Sequence, residues 1–530
     1  MALRRWCSAW VLLLLGAAPA MALEPTEPEP SALSDDEAFD LGDDDEAFDL
    51  GDDDEGFDLD DDEASELEGD AEDEVSFQAP SEWSAWLTGF LRSDWAVWSE
   101  RFDESPLAKG RQSLDLMTGF SWRFLKLDVA GHVEYDVAYH VERDGYGTPT
   151  LDTYEWLVNT REVQLGLSLG DFEFTVGRQI VAWGEGDMLS TLDVVNPRDM
   201  REPGQSDISD IRLPVLATRV GWFHGGHRVE LMVVHESEFG YRSPPRGPYS
   251  GLEAMIASGL LGDSGGLDLT QMLGEAELRY EHMQPRFALE QQEVYLRWLY
   301  NGAGFDVGAY FASFLDPIGA LSIDGEAMVA QVAATMTGGE AGGLALGIDH
   351  QRYHMVGFSG AHTEESVLLK WEVSLDIQRP ISVLAEQDLT IFGTTQRMAL
   401  PSTALTESFN VMMGVTWSGV QNLTLGAEFL STILLDEPEG MLVEMSVPTL
   451  ALRASYLALD ERLSLSAVFT LVGLGQGWLA RADVSYDLWD TVKLGVGYVT
   501  YQPGRAFGAF YGLESHDRLF AGLRWDFQLF

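Results

Sequence analysis

From Trp83 to the end of the chain, apolar and polar residues alternate with a period of two in one segment after another. The closing stretch is the clearest: Leu519, Ala521, Leu523, Trp525, Phe527 and Leu529 share one face, and Arg518, Gly522, Arg524, Asp526 and Gln528 take the other. Such a period means a β-strand with one greasy side and one wet side. The stretch Leu125 to Tyr139 repeats the habit, with Lys126, Asp128, His132, Glu134 and Asp136 on its polar face. Between Leu368 and Gln378, Leu369, Trp371, Val373, Leu375 and Ile377 oppose Lys370, Glu372, Ser374 and Asp376. A sandwich strand is about five or six residues long, whereas strands of this length, tilted, cross a hydrocarbon layer.

Reading every such segment gives 20 strands. They include 326–336 and 342–349, as well as 366–378 and 407–418 with a loop 379–406 between them. The Gly-rich stretch 326–361 can hold two strands fewer, so 18 stays open and the range runs from 16 to 20. Links alternate between short turns, such as Gly170-Asp171 and Gly225-Gly226, and long loops, such as 184–214 and 237–290. That asymmetry predicts an all-β fold, a single transmembrane antiparallel outer-membrane barrel with its short turns and both ends in the periplasm. Within the longest loop, Gly251 to Leu261 has the spacing of a short helix.

The beginning of the chain is different. Arg4 and Arg5, the apolar run Trp10 to Leu15 and the small residues up to Ala22 read as a secretory signal, residues 1–22. Residues 23–80 form an acidic tail whose nine-residue repeat sets Phe39, Phe48 and Phe57 in runs of Asp and Glu; residues 81–530 form the barrel. Leu23 to Ser76 holds 27 acids and no Lys or Arg, which leaves 60 acids against 30 bases on the rest of the mature chain. Too little apolar surface exists in the tail to offset chain entropy, so it is expected to be disordered. Its carboxylates can hold Ca²⁺ weakly, the sole cofactor the sequence admits, and its Phe-Asp-Leu cores can dock a periplasmic partner multivalently. Nucleic acid is excluded as a partner, because no basic surface exists to neutralise phosphates.

Gly177-Arg178-Gln179, Ala182-Trp183-Gly184-Glu185 and Asp193-Val194-Val195-Asn196-Pro197-Arg198-Asp199 together resemble a family of poorly characterised Gram-negative outer-membrane porin-like barrels; Trp371-Glu372-Val373-Ser374 with Pro380 is a second, weaker likeness. Members of that family often occur beside lipid exporters of the resistance-nodulation-division type with a periplasmic partner. The resemblance therefore implies a transport role beside such an exporter; that the acidic tail meets the exporter or another periplasmic partner is an expectation from its Phe-Asp-Leu repeats. In the residues themselves, Gly177 suggests that Arg178 reaches into the lumen past a position kept small, Asn196-Pro197 fixes a turn, and Arg198 with Asp199 can pair to hold the loop against the wall. Two readings stand beside each other: a constriction loop stapled for stability, or Arg178, Glu185, Asp193, Asn196, Arg198 and Asp199, with wall residues Lys126, Asp128, His132 and Glu134, contacting cargo.

Catalytic patterns are thin. Gly262-Asp263-Ser264-Gly265-Gly266 matches a nucleophile motif only in letters, since it lies in a long loop without strand-to-helix context. His224, His227 and His235 make a weak metal set. The sequence therefore reads as a non-enzyme: a conduit for small or amphipathic, including lipid-like, molecules through a polar lumen. The alternative is an assembly barrel whose tail recruits periplasmic machinery without solute flux. Outer-membrane lipid and the barrel-assembly machinery are the expected partners, with Trp525, Phe527 and Phe530 as the assembly signal. Acids outnumber bases among the inward positions, which predicts a preference for cations.

Overall fold

The computed structural model describes residues 83–101, 107–204, 208–252, 278–336, 344–391, 393–505 and 508–529. The signal, the tail with Phe39, Phe48 and Phe57, the Gly-x-Ser-x-Gly match, the terminal Phe530 and the expected helix beyond Leu252 lie outside the described residues.

Eighteen strands close into one antiparallel ring. In chain order they are β1 Trp83–Trp98, β2 Leu107–Trp122, β3 Leu125–Asp136, β4 Trp156–Leu169, β5 Phe172–Gln179 and β6 Val215–His224. Then follow β7 His227–Val234, β8 Glu293–Gly302, β9 Phe305–Leu315, β10 Arg352–Glu364, β11 Val367–Ile391 and β12 Thr394–Val420. The last six are β13 Leu423–Leu434, β14 Ser446–Ala458, β15 Leu463–Val472, β16 Gly477–Trp489, β17 Val492–Pro503 and β18 Arg518–Gln528. Each strand pairs with its neighbour in sequence. The ring shuts where β18 pairs with β1, from Thr88 opposite Gln528 to Trp98 opposite Arg518. Closure satisfies every edge, which a sheet in hydrocarbon requires.

The alternation sorts the two faces as the sequence predicts. Leu91, Leu116, Leu165, Leu231, Phe311, Phe358, Leu369, Phe429, Val484 and Leu523 all point outward and are exposed. A continuous apolar exterior of this kind far exceeds what a protein in water tolerates. Exposed Trp83, Trp122, Phe124, Phe172, Phe305 and Trp489 form an aromatic ring at the short-turn end, the feature a barrel uses at a membrane interface. Short turns there rest on left-handed residues, with Gly225 at φ 57° and Gly226 at φ 81° giving the two positive angles of a type I′ hairpin.

Three expectations change. Residues 326–336 belong to a helix, Gly325–Met336, and Leu344–Asp349 pairs into a small three-stranded sheet apart from the ring, so the two strands expected in this stretch leave the count and 18 remain. The segment 379–406 is no loop: β11 and β12 continue through it as one long hairpin. Beyond a register shift between Asp376 and Arg379, its Leu389, Met398 and Leu400 pack with Ile323, Met328 and Leu346 in a core of their own. Finally, β3 stops at Asp136, whose carboxylate accepts from Ala138 N and caps the helix Val137–Val141; Tyr139 is therefore buried in a loop core with Tyr154 and Tyr501.

Candidate functional site

Leaving β5, the chain turns into the barrel and crosses it. Gly177 makes the departure feasible: its φ is +135°, and a Cβ there would lie 2.0 Å from the Val163 carbonyl oxygen. Asn196 ties the two ends of the crossing together, since its Oδ1 accepts from Val181 N at 2.7 Å and its Nδ2 donates to Leu213 O at 2.7 Å. On one side Val181, Trp183, Leu192 and Val195 pack against inward residues of β6 to β10, among them Ala217, Met232, Tyr295, Ala312 and Met355. That apolar inner wall would be out of place in an open pore; here it is the seat of the loop.

On the other side the loop hangs on two carboxylates. Glu372 of β11 and Glu428 of β13 are 0% and 3% exposed, and no Lys or Arg neutralises either at hydrogen-bond distance among the described residues. Instead Glu372 Oε1 accepts from Glu185 N at 2.6 Å and Gly186 N at 3.0 Å, and its Oε2 from Thr191 N at 2.7 Å and Ser190 Oγ at 2.9 Å. Glu428 accepts from Asp187, Met188 and Leu189 N at 2.8, 2.9 and 2.7 Å. Charged acceptors bind several N–H donors strongly when water is excluded. At position 184 only glycine fits this wrap, because φ is +89° and a Cβ would come within 2.4 Å of Glu372 Oε1. Lys370 pairs with Asp187 at 2.6 Å, and Ser359 Oγ donates to Glu185 at 2.9 Å. Because β13 stands almost diametrically across the ring from β5, residues 180–199 span the lumen.

The returning segment reaches the near wall. Asp199 pairs with Arg201 at 2.6 Å, Arg201 also meets Glu134 of β3 at 3.0 Å, and Glu202 pairs with both Lys109 and Arg111 of β2. Burial alone would raise the Glu202 carboxyl; the Arg111 and Lys109 charges outweigh it and hold the group well below the usual carboxylate range. Burial likewise opposes the charge on Arg201, but Asp199 and Glu134 outweigh it and hold that guanidinium above its ordinary value.

The predicted site residues thus separate. Glu185, Asp193, Asn196, Arg198 and Asp199 all lie in the crossing loop, and Glu134 anchors it with His132 beside it at 3.2 Å. Arg198 does not pair with Asp199: it takes Asp193 at 2.9 Å, as Arg212 does at 3.1 Å, because the turn at Asn196-Pro197 brings position 193 back over 198. Arg178 does not enter the lumen. Its register partners are Val163 and Leu216, outer-face positions, and its guanidinium joins Glu236 at 3.0 Å and Glu238 at 3.5 Å with Arg286 at the loop-end rim. Lys126 and Asp128 stay on the β3 wall, 3.9 Å apart, away from the loop. His224, His227 and His235 go to Asp171, Tyr300 and Thr218 respectively and form no cluster. Glu428 carries no sequence signal beyond its inward parity.

Residues 164–440, which include the crossing loop and both of its carboxylate anchors, match a family model described as "Protein of unknown function (DUF1302)". The chain belongs to that family. No curated protein matches it. Among solved structures, Pseudomonas aeruginosa OccK11 (OpdR) is 11% identical over 84% of this chain and 96% of its own, with a TM-score of 0.43. Acinetobacter baumannii OccAB2 is 10% identical over 84% and 98%, with a TM-score of 0.45. The outer membrane protein opdK of Pseudomonas aeruginosa is 9% identical over 84% and 99%, with a TM-score of 0.44.

A bare wall faces the loop. From β14 round to β1, the inward residues toward the short-turn end are small or charged: Arg453, Ser455, Ser464, Ser466, Arg481, Asp483, Asp487, Lys493, Gly495, Arg524, Asp526 and Arg92, most of them partly exposed, while Leu479, Val499 and Tyr501 nearer the loop end are buried. Several of the acids that weigh toward cation preference are engaged elsewhere, whereas Asp483, Asp487 and Asp526 stand on this wall. Glu372 and Glu428 hold the loop, Asp136 accepts from Gly110 N at 2.9 Å, and Asp376 accepts from Asn410 Nδ2 at 2.9 Å.

Proposed function

We propose that this protein is an outer-membrane channel, not an enzyme, passing small or amphipathic molecules through the half of its lumen that the crossing loop leaves bare. The observation that carries the reading is the division of the lumen: one inner wall is packed against residues 180–199, while the other keeps small and charged side chains accessible. A purely structural barrel has no use for an accessible charged wall. The apolar exterior and the aromatic ring support an outer-membrane location, and the barrel's two ends at the short-turn side support a periplasmic position for residues 23–80. The lipid-like end of the cargo range rests on the resemblance to barrels found beside lipid exporters.

The test is planar-bilayer recording with the purified chain. Discrete, small openings are expected. Absence of any current, including after removal of the loops 184–214 and 237–290, overturns the reading in favour of an assembly barrel whose tail recruits periplasmic machinery.

A further inference from the structure

The apolar exterior of the ring does not keep one height. On β5 the outward positions above the short turn are Phe172, Phe174 and Val176, and the next is Arg178. On β7 Val229, Leu231 and Val233 are followed by His235, and on β10 Phe358 and Val356 lie between Gly360 and His354. Elsewhere the run is longer. Leu369, Trp371, Val373, Leu375 and Ile377 follow one another on β11, and Leu519, Ala521, Leu523, Trp525 and Phe527 on β18. At a rise of about 3.3 Å per residue and a tilt of about 40°, three outward positions cover roughly 15 Å of the membrane normal and five cover roughly 25 Å, the ordinary height of a barrel's apolar band.

Hydrogen bonds run sideways along the upper edge of the short sector. Arg178 pairs with Glu236 at 3.0 Å, and Thr218 Oγ1 lies 2.9 Å from His235 Nε2. Gln292 Nε2 lies 3.2 Å from His235 Nδ1, and Arg352 donates to the Gln292 carbonyl at 3.0 Å and to the Ser313 carbonyl at 3.1 Å. The register puts this line on the outside of the wall, since Thr218 is the partner of Val176 and Val233, and Ser313 is the partner of Val294. Hydrocarbon offers such groups nothing to bond, so their level marks its boundary.

We propose that the sector from β5 to β10 thins the membrane leaflet at the loop end, with lipid head groups drawn down to the line from Arg178 through His235 to Arg352. The step relative to β11 and β18 is about 10 Å. The inference rests on the lipid-facing exterior and is independent of conduction. Its partner is lipid because the apolar surface below the line continues without a break into the rest of the outer face. A belt shorter than the surrounding hydrocarbon is met by local thinning, at a modest cost for each ångström. Tilting the barrel does not remove the deficit: raising the upper edge lifts Phe172 and Phe305, at the short-turn end, off their own interface. The thin sector adjoins β5 and β6, between which the crossing loop leaves the wall, so it brings head groups closest to the loop's entry.

The test uses the full chain carrying Cys7→Ser, which removes its sole cysteine, with single nitroxide labels in vesicles of dioleoylphosphatidylcholine. Thr218→Cys and Leu216→Cys report on the short sector, six and eight residues from the short-turn end of β6; Leu375→Cys and Leu519→Cys lie eight and nine residues from that end of β11 and β18. Leu216 is apolar, and its replacement leaves every bond of the polar line in place. Power saturation with oxygen and a water-soluble nickel chelate is expected to find Leu375 and Leu519 in hydrocarbon and Thr218 and Leu216 at head-group level, about 10 Å apart. Adding Thr218→Val with His235→Leu should draw the Leu216 label deeper. Heat-modifiable migration establishes that each variant is a folded barrel. All labels in hydrocarbon overturn the thinning and leave the lipid-facing exterior intact, whereas all labels in water overturn both. Short-sector labels shielded from oxygen and nickel alike overturn it in favour of a protein neighbour or a second copy. A Leu216 label that stays in place in the double variant overturns the polar line as the cause.

Discussion

Between β6 and β13 the inner wall is covered, with Met232, Ala312, Met355 and Glu372 fully buried; from β14 to β1 it is covered only near the loop end, by the core of Trp98, Leu479, Val499 and Tyr501, and toward the short-turn end it is bare, with Arg453, Arg481 and Arg524 partly accessible. The same alternation built both walls, yet the inward face is apolar with isolated acids on one side and small with charges of both signs on the other. The contrast shows that inward does not mean wet. An inward residue faces either a second layer of protein or solvent, and which of the two decides whether Tyr, Met and Val or Ser, Gly and Arg belong there. It also shows that total inward charge overstates the charge that faces solvent. A carboxylate whose lone pairs are filled by loop N–H groups is part of the packing, whereas one facing solvent is part of the field.

The largest effect should come from cutting the loop off its far anchor. In Glu372→Ala/Glu428→Ala, the N–H groups of residues 185–189 and 191 lose their acceptors, and each orphaned donor costs about 1–3 kcal/mol unless water replaces the carboxylate. Lumen water can do so, so the barrel should survive while the loop detaches. Single-channel conductance should rise several-fold, and the loop should become cleavable by protease from the long-loop side. Unchanged conductance would mean that the covered wall stays covered without its anchors.

The apolar seat gives a smaller effect on the same side. Trp183 is buried between Tyr295 and Tyr310, with ring centroids at 5.5 and 5.4 Å. Trp183→Ala should cost about 3–5 kcal/mol as a core truncation, read as a lower heat-modification temperature with noisier current. The corresponding truncation on the bare wall, Val468→Ala, should change neither noticeably, because no second layer packs against that position.

Alternation makes much of this legible. Parity alone assigns Leu369, Trp371 and Leu375 outward and Lys370, Glu372 and Asp376 inward, and Asn196-Pro197 reads as the turn that fixes the loop. Where the reading fails, the causes are local and physical. Gln378, at φ 61°, and the register shift beside it interrupt the period at Gln378-Arg379-Pro380, so a continuous hairpin reads as a loop. The Ala-rich Glu326 to Met336 has no charge after its first residue to reveal a helical face, so it reads as a strand. Glu372 and Glu428 are beyond reach for another reason. Their partners lie 181 and 239 residues away along the chain at Thr191 and Leu189, and no local pattern carries that information. A buried inward acid without a nearby base is the signal that points to a backbone partner.

The cross-tie at Asn196 tests the loop's entry. Asn196→Ala removes the acceptor for Val181 N and the donor to Leu213 O, both buried, at about 1–3 kcal/mol for the groups left unpaired. The expected outcome is intermediate protease sensitivity near 180–214 with conductance close to that of the parent chain, since the far anchors remain. Conductance as high as in the double glutamate variant would shift the weight of the loop's attachment from its anchors to its entry.

The smallest effect separates the loop's two ends by pH. Glu202 has a carboxyl held below the ordinary range because Arg111 and Lys109 outweigh burial, so its contribution is present above the unfolded value of about 4.3 and is lost only as pH falls through the still lower folded value. Glu185 is shifted the other way: burial raises its carboxyl, and the hydrogen bond from Ser359 only partly offsets this. For Glu185 the charged form is the disfavoured one in the folded loop, so protonation as pH falls from neutrality relieves a penalty and favours the attached state. Between neutral pH and the ordinary carboxylate range the far end should therefore tighten slightly while the near end is unchanged, and current noise should fall. In more strongly acidic solution the contact of Glu202 with β2 should weaken and the noise return. Glu202→Gln should show the noisier current already at neutral pH, and Glu185→Gln should abolish the quietening on mild acidification. Quietening that persists in Glu185→Gln would assign it to another group.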